Sequence, residues 1–142
     1  MLGALARRRG LSVPDVRVTS AKHDLLAVAT HNAVEGCVHE TWAAVEAAWL
    51  AHRGADEELR TAFRRIADDE AGHAQLAWDI HAWLTSRLSE AEAAAVHHAQ
   101  RVALGALPRR AMASARWSAR LGSPDPSRAH AMATVLAETL AA

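Results

Sequence analysis

Residues 38–84 read VHETWAAVEAAWLAHRGADEELRTAFRRIADDEAGHAQLAWDIHAWL, and this stretch decides the fold. Before His52 only Gly36 interrupts a helix, and Val38, Trp42, Val45 and Trp49 recur at helical spacing. Arg53-Gly54-Ala55-Asp56 is a short turn, with Gly54 suited to end one helix and Asp56 to cap the next. Glu57 and Glu58 follow where the positive end of a helix dipole favours acids. Beyond them Leu59, Phe63, Ile66, Glu70, His73, Ala77, Ile80 and Leu84 mark one face of a second helix. Two long helices joined by so few residues lie antiparallel. The expectation is a helical hairpin, about residues 21–52 and 57–87.

Working outward, residues 1–19 carry Gly10, Pro14 and alternating Val13, Val16 and Val18, and read as an N-terminal tail or linker. The helical domain then covers 20–142, with the hairpin over 20–88 and accessory helices over 89–142. Ser20 is placed to cap the first helix, with Asp24 in the turns that follow. Ser89 and Glu92 form a capping box, so a third helix starts there and runs to about residue 104, where Gly105 and Pro108 end it. Residues 109–121 are weakly patterned helix. A turn follows in which Asp125 caps and Pro126 takes the first helical position of a last helix, 126–141.

Composition agrees with an all-α chain. Alanine, the best helix former, is the commonest residue; Tyr is absent and Phe occurs once, which leaves little material for a sheet. At 142 residues the chain is the size of one domain. Sixteen basic and sixteen acidic residues cancel, and the clusters Arg7-Arg8-Arg9 and Arg109-Arg110 lack the interleaved aromatics of a nucleic-acid groove. A nucleic-acid partner is not expected. One cysteine, Cys37, forbids an internal disulfide and reads as a packing residue beside Gly36 and alanines. The arginines follow the first apolar residues rather than preceding them, which is the wrong order for a signal peptide, and no apolar run approaches the ~20 residues of a membrane span. A cytoplasmic setting without a membrane is the expectation.

The informative feature is polar. Glu70 and His73 fall on the face that the periodicity of the second helix buries. Burying an unpaired carboxylate costs several kcal/mol, so it calls for a cation or a donor. Spacing of i, i+3 puts both groups on one face, within reach of the same or adjacent metal ions. Mirroring about the turn brings residues 36–39 level with them, and Glu35 and Glu40 flank that level. Glu35 shares the stripe of Val38, Trp42, Val45 and Trp49; Glu40 shares a stripe of small residues with Ala33, Cys37, Ala44 and Ala47. On an α-helix the two point about 140° apart. Axial level favours Glu40 and facing favours Glu35, and facing leads the expectation. Glu40 would then orient a ligand or pair with a partner chain, and His39 points elsewhere. Trp42, Trp49, Trp78 and Trp83 read as core and interface, His97-His98 as a solvated face, and His81 as a weak candidate for a supporting role near the site.

Asp69-Glu70-Ala71-Gly72-His73-Ala74-Gln75-Leu76-Ala77-Trp78 resembles the Glu-x-x-His helix of the ferritin-like di-iron carboxylate superfamily. Asn32-Ala33-Val34-Glu35-Gly36-Cys37-Val38-His39-Glu40-Thr41 is similar to the preceding helix in a group of bacterial ferritin-like proteins. The resemblance covers about residues 20–88. It implies a pair of iron ions, with manganese as an alternative, held by ligands from among Glu35, Glu40, Glu70 and His73. A full site in that superfamily takes two Glu helices and two Glu-x-x-His helices, and this sequence has one of each. Glu90, Glu92 and Glu138, with His97, His98 and His130, are at the wrong spacings for a second set. The expected partner is therefore a second copy or a complementary half-bundle chain. The implied function is iron oxidation and storage, or dioxygen-dependent oxidation by a di-iron oxidoreductase, once four helices assemble. The alternatives are a helical interaction module without metal and one half of a longer ferritin-like enzyme.

Overall fold

A computed structural model describes residues 24–118 and 121–142, together with 7, 8, 10 and 12. The tail expected over 1–19 lies almost wholly outside the described residues, and so does the cap placed at Ser20. Among the described residues there is helix and no strand, so the fold is all-α. No helix among them is long and apolar enough to cross a membrane.

The first helix of the hairpin is one continuous rod made of three segments: α1 (Leu25–His31), a π-helical segment (Asn32–Glu40) and α2 (Thr41–Arg53). It begins at Asp24, whose carboxylate accepts the Ala27 amide at 2.7 Å. The second helix, α3, is Glu57–Thr85, and Asp56 caps it by accepting the Leu59 amide at 2.9 Å. The two pack antiparallel along their length, as the short turn requires.

The accessory region differs from expectation. A single helix, α4 (Glu90–Ser118), runs through both Gly105 and Pro108. Proline inside a helix costs about 3 kcal/mol. Leu104, Leu107, Ala111 and Ala115 nevertheless form one buried stripe across it, and burying two leucines contributes about 2–3 kcal/mol each. Packing outweighs the local breaker. Ser89 and Glu92 do form their reciprocal box, with Ser89 N–H donating to Glu92 at 2.9 Å. Asp125 caps the last helix, α5 (Pro126–Ala141), by accepting the Arg128 amide at 2.9 Å.

The rod is the shared element. α3 packs on one flank of it, and α4 with α5 covers another. The main core joins Val38 and Trp42 of the rod to Leu104, Leu107 and Ala111 of α4 and to Ala129 and Ala133 of α5. A smaller cluster joins Ala29 and Ala33 to Leu84 and Val96. At the hairpin end the α4–α5 turn docks on the hairpin turn. Ala55 N–H donates to Leu121 O, and Trp49 Nε1–H donates to Gly122 O at 3.0 Å. Gly122 has φ +89°, and a Cβ there would sit 2.5 Å from Arg53 O, so both backbone sign and space require glycine.

Candidate metal centre

The π-helical segment sets the geometry of the site. π-helix is rare and concentrates at functional places. Its i→i+5 bonding stacks residues five apart nearly above one another, instead of the about 140° separation of an α-helix. Glu35 and Glu40 therefore turn toward the same side of the rod, which α-helical periodicity could not anticipate. Gly36 lets the rod come close to α3 at this level, since a Cβ there would lie 2.8 Å from Ala77 Cβ. Asn32 Nδ2–H bridges the helices by donating to Ala77 O at 2.9 Å. Cys37 is buried against the same carbonyl, and burial pushes its thiol up to about 12, so it stays protonated.

Three of the four expected ligands converge. Glu40, Glu70 and His73 each offer a ligand atom, and those atoms lie within 4.8 Å of one another. His73 Nδ1 is 3.5 Å from Glu70 Oε2. The Glu40 carboxyl titrates above the usual carboxylate range, first because it hydrogen-bonds to Glu70, then through burial and the Glu70 charge. Two carboxyl groups this close cannot both ionise freely without a cation or a proton between them. Glu35 is outside this trio. It pairs with His39 Nδ1 at 2.8 Å, and that hydrogen bond, with the His39 charge, holds its carboxyl below the usual range against the desolvation that raises it. The residue that meets Glu70 and His73 is thus the one favoured by axial level, not the one favoured by facing.

Burial also differs from expectation. The face that α3 turns to the rest of the chain is Leu59, Ala62, Ala74, Ala77, His81 and Leu84. Glu70 lies at the edge of it, with a side chain 27 % exposed, and His73 points outward at 64 %. Trp83 is also exposed, with the Arg87 guanidinium 3.9 Å over its ring, whereas Trp42 is buried and Trp78 donates to Thr41 Oγ1. His81 packs against Trp78 and against His97 of α4, with ring centroids 5.6 Å apart, so it does not support the trio. Burial, then the His97 charge, keeps its imidazole below the usual range.

Glu46 escaped the sequence reading. It shares a hollow with Glu70, lined also by Ala43, Ala47, Leu50, Phe63 and Ile66. Desolvation raises its carboxyl, and a hydrogen bond from Trp42 offsets part of that. Its signal was a lone acid in the alanine-rich run 43–48, on neither of the stripes that carried the argument.

Compared with family models, with curated proteins and with solved structures, the chain has no match.

Proposed function

We propose that this chain is a ferritin-like metal-binding protein in which Glu40, Glu70 and His73 hold transition-metal ions, iron first and manganese second. The observation that carries the reading is the trio itself: two carboxylates and one imidazole from two helices, with ligand atoms within 4.8 Å. Mixed oxygen and nitrogen donors of this kind suit iron and manganese. Glu40 and Glu70 provide the oxygens, and replacing their shared proton by a cation relieves the repulsion between them. His73 adds an imidazole nitrogen, and its outward side chain keeps that nitrogen within reach of an arriving ion. Glu35 and His39, bonded to each other beside the trio, orient the rod's polar face. Bound iron would supply oxidation chemistry with dioxygen, or would itself be the ion taken up and oxidised. A cytoplasmic setting belongs to the same reading and fits the lone reduced cysteine.

Metal analysis of purified protein loaded anaerobically with Fe2+ or Mn2+ tests this. Glu70→Ala and His73→Ala should abolish binding with helicity kept, because both residues sit on an otherwise intact helix. Binding equal to the parent in both variants sinks the assignment. A second reading, a helical interaction module without metal, is favoured by the exposed Leu76, Ile80 and Trp83. A parent chain that binds no metal would leave that one standing.

A further inference from the structure

Among the described residues His81 is the one polar or charged side chain in the buried core, 8 % exposed, and its Nδ1 has no hydrogen-bond partner. A buried ring nitrogen left without a partner is costly, so it calls for a ligand that the chain itself does not supply. Across the helix interface stands His97 of α4, with ring centroids 5.6 Å apart and planes tilted by 54°. We propose that His81 and His97 form a second metal site, separate from the trio, that takes a divalent ion of the zinc type between α3 and α4.

The separation of the rings fits one shared ion. With metal–nitrogen bonds of about 2.0–2.1 Å and each nitrogen about 1 Å from its ring centre, two imidazoles at a tetrahedral angle have centroids about 5 Å apart, close to the observed 5.6 Å. Apolar packing holds that distance. Leu84, one turn beyond His81, and Val96, next to His97, are buried in one cluster with Ala29 and Ala33 of the rod, which fastens α3 to α4 at this level. Trp78 stands edge-on to the His81 ring at 5.9 Å and limits its rotation. Burial, then the His97 charge, favours the neutral form of His81, the form that ligates. His97 is exposed, so an arriving ion meets its ring first, and water fills the positions that two imidazoles leave open. A pair of nitrogens with no carboxylate suits Zn2+ or Cu2+; Mn2+ prefers oxygen donors, and Fe2+ stands below Zn2+ in the order of affinities. His81 lies about 12 Å along α3 from His73, too far for the two centres to share an ion. An ion held here ties the accessory helix to the hairpin and stabilises the fold, because the unfolded chain does not hold the two rings together.

The site does not depend on the trio, and the test removes the trio first. In the full chain carrying Glu70→Gln and His73→Ala, calorimetric titration with Zn2+ at neutral pH should count one ion per chain, and saturating Zn2+ should raise the Tm. Adding His97→Ala should abolish both effects with circular dichroism unchanged, because that side chain is exposed. Adding His98→Ala instead should keep both, since its neighbour on the helix points about 100° away. A trio-free chain that takes up no Zn2+ overturns the site. Zn2+ binding that survives His97→Ala overturns it too. Binding lost in His98→Ala would put the ion on the solvated face of α4 and overturn the pairing with His81.

Discussion

Glu40 and Glu35 differ by five positions, and the difference between α- and π-helical turns decides which of them meets Glu70. Glu40→Gln should therefore lose most of the bound metal and Glu35→Gln less, measured as ions per chain after anaerobic loading. The reverse ranking would return the site to the stripe of Val38 and Trp42. The shared proton has a consequence of its own. Glu40 titrates above its unfolded range, so its contribution to the metal-free fold is complete at low pH and is lost as pH rises through its raised folded pKa. The urea midpoint of the metal-free parent should fall, relative to Glu40→Gln, as pH climbs from the ordinary carboxylate range toward neutrality. Parallel curves for the two proteins would mean that the carboxyl pair stores no repulsion.

At the scale of the element, glycines separate local from tertiary causes. Gly36→Ala puts a methyl 2.8 Å from Ala77 Cβ, where the rod faces α3. A cost of about 1–3 kcal/mol follows, as for other overpacked contacts. Gly105 lies in the interior of α4 with nothing within 4 Å of an added Cβ, so Gly105→Ala should stabilise by about 0.5–1 kcal/mol. Urea unfolding of the two variants beside the parent gives both signs in one experiment. The same helix explains why a break was expected at Gly105 and Pro108. Local propensity disfavours helix at both residues, whereas the buried stripe of Leu104, Leu107, Ala111 and Ala115 exists only because the rod and α5 are there to cover it.

On the scale of the whole molecule, a cation bound at the trio links metal to folding, because the unfolded chain does not bring Glu40, Glu70 and His73 together. Ion at 100 times its Kd adds about 2.7 kcal/mol, a rise in Tm on the order of 10 °C for a domain of this size. Thermal melts with and without Mn2+ should show that rise in the parent and none in Glu70→Gln/His73→Ala. An equal rise in both would place the ion elsewhere.

The amino-acid sequence by itself determined the all-α class, the hairpin and its turn, and the caps at Asp56, Ser89 and Asp125. These are set by side chains acting on backbone within a few residues, so they are written locally. It also placed Glu40 level with Glu70, because helical rise is constant and a short turn fixes the mirror point. Which carboxylate faces which was decided only in the tertiary structure. The π-helical segment coincides with the close contact of Gly36 with Ala77 and with the Asn32 bridge to the same residue, and Ala77 lies some forty residues away along the chain. The exposure of His73, Leu76 and Trp83 was decided there as well. A periodic stripe states that residues share a face, but whether that face is covered depends on where α4 and α5 pack: α4 meets α3 at His81 and Leu84, and Leu76 and Trp83 stay exposed.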